Sequence, residues 1–221
     1  MTKELYLRIF TSSILIILLI LMINYSIILI STLILLFVFS WIEFNNIINR
    51  IPIRKNKFNL LKFLSKFLIL IYLSFFTIVI IDEFIDNQPN ISWNLIFVIS
   101  VCVLSDIGGY IFGKTFKGKK ITKISPNKTY SGMFGSFFLS IIFALSYSFS
   151  LSFVDVSLIV FLSILISFIC QLGDLFISFL KRKAKLKDTG NILPGHGGIL
   201  DRIDGIIFAL PFGIILINFY Y

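Results

Sequence analysis

Long, almost unbroken apolar stretches alternate along this chain with short charged ones. A helix needs about 20 mostly apolar residues to cross a hydrocarbon layer of about 30 Å. On that measure residues 9–23, 27–44, 63–81, 91–112, 131–150, 154–180 and 203–219 are expected to be spans. Asn24, Tyr25 and Ser26 are read as a tight turn, because residues 9–44, 36 in all, are too many for one crossing. The sixth stretch is long enough to protrude from the bilayer. No internal repeat or low-complexity linker interrupts the series. The expected fold is therefore all-α: a polytopic membrane protein of about seven transmembrane helices. Residues 1–90 would form three N-terminal spans and residues 91–221 a second membrane domain.

Composition strengthens this reading. Hydrophobic residues make up 57% of the chain, charged residues 14%, and the mean hydropathy is +0.98. A soluble domain carries about 25% charged residues, so this chain lacks the polar material to cover a water-facing surface. Soluble enzyme, secreted disulfide scaffold and disordered chain are excluded. Cys102 and Cys170 sit inside apolar runs, where a thiol acts as a small hydrophobe. Lys3 and Arg8 precede the first apolar stretch and no small-residue cleavage site follows, so the first span is expected to be retained.

The net charge of +9 would suggest nucleic acid in another chain, but here the charges are sorted by loop. Residues 45–66, 113–130 and 181–202 each hold six Lys or Arg, and Lys3 and Arg8 complete the 20. The intervening loops hold Asp82, Glu83 and Asp86, then Asp155. All cations thus fall on one side, which the positive-inside rule assigns to the cytoplasm together with the N-terminus. The basic loops are explained by topology, with attraction to anionic headgroups accompanying it.

Candidate chemistry lies on that same side. Asp106, in the fourth span, and Asp174, in the sixth, are carboxylates within the membrane, where ionisable groups are by default functional and paired. Gln171, Asp174, Ser178, Lys181 and Arg182 share one helical face, a stripe from a carboxylate to two cations that suits a phosphate ligand with a metal. Beyond it, Pro194 and the four glycines between Gly190 and Gly198 rule out a continuing helix. They either bring backbone N–H groups close to an anion or form a plain connector. Asp201 and Asp204, at i and i+3 where the last span begins, point the same way, as ligands or as helix-capping residues. His196, the one histidine, either contacts phosphate and handles protons or stabilises the turn. One histidine and two buried cysteines exclude a zinc site, and the available carboxylates favour a hard cation such as Mg²⁺.

The run from Ser178 to Asp204 resembles the signature of the phosphatidate cytidylyltransferases, the CDP-diacylglycerol synthases. Its elements are Ser178-Phe179-Leu180-Lys181-Arg182, Lys187-Asp188-Thr189-Gly190, and the unbroken stretch from Leu193 to Asp204. Asp106-Ile107-Gly108-Gly109-Tyr110 with Gly113, and Ser125-Pro126-Asn127-Lys128-Thr129 with Gly132, are similar to the same family. Where the family usually has Ala, Lys and Glu, this chain has Gly109, Asn127 and Ser131, and it is short for the family by one or two N-terminal spans.

The resemblance implies the reaction of CTP with phosphatidate to give CDP-diacylglycerol and pyrophosphate, at the cytoplasmic side of the C-terminal half of an inner-membrane enzyme. It implies Mg²⁺ held by Asp174, Asp201 and Asp204, with room for a second cation. Asp188, Lys181 and His196 join those three as catalytic residues. Asp106, Ser125, Lys128, Ser178, Arg182, Lys187, Gly197, Gly198 and Arg202 would bind substrate. Membrane lipid surrounds the chain, nucleic acid is no partner, and the sequence leaves a homodimer open. A CTP-dependent lipid kinase of the polyprenol type and an ion-coupled transporter are the competing readings. The transporter leaves the dense Lys-Arg-His-Gly segment unexplained.

Overall fold

The computed structural model describes residues 3–52, 58–86, 92–122, 125, 128–150, 155–192 and 197–220. They form eight helices: α1 (Lys3–Asn24), α2 (Ser26–Arg50), α3 (Phe58–Asp86), α4 (Trp93–Phe116), α5 (Tyr130–Ser150), α6 (Val156–Lys183), α7 (Leu200–Ile203) and α8 (Ile206–Tyr220). Lys120 and Thr129 form an isolated antiparallel bridge. In a hydrocarbon layer backbone groups must bond within their own segment, and helices do this locally.

Helices α2 to α6 contain five segments long and apolar enough to cross a membrane. Many large apolar side chains on them face outward, Ile27 and Phe149 most of all, as lipid contact requires. The protein is a multi-pass membrane protein. The other two expected spans are shorter as apolar helices. In α1 the apolar stretch is Ser13–Met22, and α8 has 15 residues. At 1.5 Å per residue α8 is about 22 Å long. Its expected start is displaced because the chain does not enter one helix at residue 203. It makes the single turn α7, then a turn at Asp204 and Gly205, where the Gly205 N–H donates to Asp204 Oδ1 at 3.0 Å, and only then α8. Asp201 and Asp204 therefore do not share the first turn of a continuous span.

The expected turn between the first two spans is a single extended residue, Tyr25, at φ −131° and ψ 112°. Ser92 caps α4 by accepting the Leu95 N–H at 3.2 Å. Cys102 and Cys170 are free and buried.

The chain divides into two compact units, residues 1–91 with 180–203, and residues 92–179 with 204–221. In the first, α2 packs along both α1 and α3, and residues 180–203 join them. In the second, α4 packs along α5 and α8. The α4–α5 contact depends on small residues. A Cβ at Gly108 would lie 2.3 Å from the Gly135 carbonyl oxygen, and one at Gly132 would lie 2.7 Å from that of Gly109. Helices in lipid associate through such close backbone approach and through polar bonds between helices. Both occur here: Ser136 Oγ donates to the Ser105 carbonyl at 2.6 Å, and the Ser105 and Ser167 hydroxyls stand 2.8 Å apart.

Candidate active-site residues

The first unit gathers the signature segment around Asp201. Helix α6 ends at Lys183, and the chain then turns through Lys185 at φ 57°. The Leu186 N–H bonds back to the Lys181 carbonyl at 2.8 Å, closing the helix end. The turn brings Lys187, Asp188 and Thr189 back past the last turn of α6. Lys181, on that last turn, donates to Asp201 Oδ1 at 2.6 Å, and both side chains are largely buried. Asp201 Oδ2 accepts the N–H of Thr189 at 2.7 Å and that of Gly198 at 3.0 Å, with the Thr189 hydroxyl also 3.0 Å away. The bond to Gly198, three residues earlier, ties the chain entering α7 to the helix. One carboxylate thus joins α6, the 187–190 stretch and the start of α7.

Burial pushes the Asp201 carboxyl up, but the Lys181 bond, the Thr189 and Gly198 amides and the Lys181 charge together outweigh it. The group ends below the usual carboxylate range and is ionised at neutral pH.

A residue missed in the sequence organises the other side of this segment. Glu43, on α2, is 1% exposed. Its carboxylate accepts the Thr189 hydroxyl at 2.6 Å and the N–H groups of Ile199 and Leu200, each at 2.9 Å. The available signal was a lone carboxylate in an otherwise apolar run, which by the reasoning applied to Asp106 and Asp174 marks a functional position.

The glycines of the signature are explained by these two carboxylates. A Cβ at Gly198 would lie 1.9 Å from Thr189 Oγ1 and 2.6 Å from each Glu43 oxygen, and one at Gly190 would lie 2.7 Å from Glu43 Oε1. Gly197 adopts φ +85°, where a Cβ would also lie 3.0 Å from Asp201 Oδ2. Close approach to buried protein carboxylates requires Gly190 and Gly198, and backbone conformation requires Gly197.

Beside this arrangement is a cleft of about 380 Å³ lined by Asn46 and Arg50 of α2 and by the segment from Leu186 to Asn191. Lys187 and Asp188 form part of its wall and are exposed. Arg182 is exposed and donates to the Leu186 carbonyl at 3.3 Å, and Arg202 lies exposed on α7. His196 lies outside the described residues.

The second unit holds the remaining candidates. Lys128 forms an ion pair with Asp174 and reaches the Gln171 carbonyl at 3.5 Å, and Ser178 donates to Asp174 at 3.3 Å. Asp106 of α4 is close enough to feel the charges of both Asp174 and Lys128. Ser125 accepts the Lys128 N–H through its carbonyl at 3.1 Å, and its own N–H bonds Thr122 Oγ1 at 3.3 Å. The structure therefore brings Asp106, Lys128, Asp174 and Ser178 together in this unit, and Asp204 belongs to its turn before α8.

These side chains do not fit a divalent cation as they stand. Asp201 is taken up by Lys181 and the Thr189 and Gly198 amides, and Asp174 by Lys128 and Ser178. Among the described residues no three His, Cys, Asp or Glu side chains form a group able to hold a metal ion.

A model of the cytidylyltransferase family matches residues 1–220. A Staphylococcus aureus (strain COL) protein named phosphatidate cytidylyltransferase is 42% identical over 119 residues, 53% of this chain and 46% of the relative. Proteins of the same name from Staphylococcus haemolyticus and Staphylococcus epidermidis (strain ATCC 12228 / FDA PCI 1200) are each 43% identical over 119 and 122 residues, again 53% of this chain and 46% of theirs. The chain spans about half the length of the curated relatives it matches.

Proposed function

The chain belongs to the cytidylyltransferase family, and on that premise we propose that it transfers the cytidylyl group of CTP to phosphatidate, giving CDP-diacylglycerol and pyrophosphate. The names of the relatives support this substrate pair. The observation that carries the reading is the Asp201 junction, which holds the two halves of the signature, 187–190 and 197–202, as one piece against Lys181.

In the reaction a phosphate oxygen of phosphatidate attacks the α-phosphorus of CTP. A new P–O bond forms there, the bond from that phosphorus to the bridging oxygen of the β-phosphate breaks, and pyrophosphate leaves with the electron pair. The attacking phosphate is ionised at neutral pH and needs no general base. Both reactants are polyanions, so catalysis consists mainly of positioning and charge neutralisation. Arg182, Lys187 and Arg202 are exposed cations on or beside the signature segment and are assigned to the phosphates. Lys181 and Lys128 are held by Asp201 and Asp174, so their charges are fixed in place before substrate arrives. Asp106, Ser125 and Ser178 complete the surroundings of that second pair.

We place this chemistry at the cytoplasmic face of the inner membrane, in a chain of seven spans with its N-terminus inside. Segregation of all 20 Lys and Arg to alternate loops supports that orientation.

The test is incubation of the purified chain with CTP labelled at its α-phosphate and with phosphatidate, with and without Mg²⁺, followed by lipid extraction. Label in the organic phase with matching pyrophosphate release is expected. Release of CDP with a phosphorylated product, when a lipid alcohol replaces phosphatidate, would assign a lipid kinase instead. Ion flux in sealed vesicles without nucleotide, and no labelled lipid, would assign a transporter.

A further inference from the structure

We infer that Glu43 is a positioning residue for this reaction, holding the signature segment from behind through Thr189 and the start of α7. The inference rests on the proposed cytidylyl transfer for its catalytic consequence, although the clamp itself is a matter of geometry.

Glu43 comes from the N-terminal half of the chain, 146 residues from Thr189, yet all three of its bonds go to the signature segment. Every one of those partners is a donor, which suits an ionised carboxylate, an acceptor at both oxygens. A buried carboxylate is expensive to desolvate, so a site that keeps one must satisfy it fully. Two N–H groups and a hydroxyl do so here.

The division of labour follows from proton counting. The Thr189 hydroxyl carries one proton and lies 2.6 Å from Glu43 Oε2 and 3.0 Å from Asp201 Oδ2. The shorter contact takes that proton, and Asp201 is then held by Lys181 and the two amides. Thr189 thereby joins the two carboxylates, Glu43 of α2 through its hydroxyl and Asp201 of α7 through its N–H. Gly190 and Gly198, eight positions apart, both lack a side chain where Glu43 sits, so the segment is shaped around this residue at two separate points. Three and seven positions further along α2, Asn46 and Arg50 line the cleft whose opposite wall is 186–191. That spacing puts them on the helical face that carries Glu43. Glu43 accordingly fixes the distance between the two walls on which Arg50, Lys187 and Asp188 stand.

The experiment compares Glu43→Gln, Glu43→Asp, Thr189→Val and Thr189→Ser in the full chain. It reads amide hydrogen exchange over 187–202, with α5 as internal reference, together with kcat and KM for each substrate. Glu43→Gln keeps the shape but turns an NH₂ toward a donor, so exchange over 187–202 should rise by about tenfold or more while α5 is unchanged. Turnover should fall mainly in kcat, because misplacement of reacting groups weakens the transition state more than ground-state binding. Glu43→Asp, which keeps the charge on a shorter arm, should recover part of both. Thr189→Val should behave like Glu43→Gln, and Thr189→Ser should keep the protection, which maintains the test if a Glu43 variant fails to fold.

Unchanged exchange in Glu43→Gln and Thr189→Val would overturn the inference. So would faster exchange with undiminished kcat, which would leave Glu43 a packing residue only. If the unsubstituted chain makes no CDP-lipid, the proposed reaction falls, and the exchange measurement still decides whether the clamp exists.

Discussion

Asp201→Asn separates an anchoring carboxylate from a metal-binding one. The substitution keeps the shape and removes the charge. The single amide oxygen can face either the Thr189 and Gly198 N–H groups or Lys181. If it keeps the two amides, its NH₂ points at the Lys181 ammonium, and a cation only 13% exposed loses its partner. Breaking a buried pair by removing one partner costs about 3–5 kcal/mol, and a hydrogen bond to a charged group contributes about 1.5–3. Residual exposure of 13% and 8% on the two side chains lets water take up part of that loss, so a penalty of about 2–3 kcal/mol is expected. At 1.4 kcal/mol per decade this raises the open population of the 187–202 segment by roughly 30–150-fold. Exchange of those amides should accelerate by that factor, and cytidylyl transfer should fall with it.

The carboxylate also sets a pH dependence. Its pKa in the folded protein lies below the ordinary 3.8, so its stabilisation is fully present above pH 3.8 and is lost as pH falls through the lower folded value. Asp201→Asn should flatten this acid limb of segment protection. Lys181→Met in the Asp201→Asn background should relieve part of the loss, since it removes the ammonium left without a partner. A metal ligand would behave differently: turnover would drop in Asp201→Asn while segment exchange and its acid limb stayed as in the parent. That outcome, or parental values of both exchange and turnover, would refute the anchoring role.

Gly198→Ala should be more damaging than Gly197→Ala. The first places a Cβ 1.9 Å from Thr189 Oγ1, whereas the second meets Asp201 Oδ2 at 3.0 Å and strains a left-handed residue; comparative turnover and exchange over 187–202 check the order. Gly108→Val should part α4 from α5, since even a Cβ would lie 2.3 Å from the Gly135 carbonyl oxygen. Thermal unfolding in detergent should show a loss of about 2 kcal/mol or more, from overpacking and the weakened Ser136–Ser105 bond. A reporter fused after Lys120 should behave as internal and one after Asp155 as external; like behaviour of the two would break the assigned orientation.

The spans were legible because they answer to one local requirement, enough consecutive apolar residues to cover the hydrocarbon layer. Helices α2 to α6 satisfy it with no help from the rest of the chain. The signature was legible for a related reason: Gly190, Pro194, Gly197 and Gly198 interrupt the helix locally, and charged residues beside such a break are conspicuous in an apolar sequence. Pairing was not legible. The stripe from Asp174 to Lys181 is real in helical phase, yet Asp174 is held by Lys128 and Lys181 by Asp201, choices made by segments remote in sequence. Nor could local reading show the break between α7 and α8, because the turn at Gly205 depends on what surrounds it. A Cβ at that position would lie 2.5 Å from Cys170 Sγ. Glu43 is the clearest case. In sequence it is one acid among Trp41, Ile42 and Phe44, and nothing nearby explains it. Only the fold brings it to the Thr189 hydroxyl and two amide groups at the start of α7, and a buried carboxylate takes its meaning from the donors that the tertiary structure supplies.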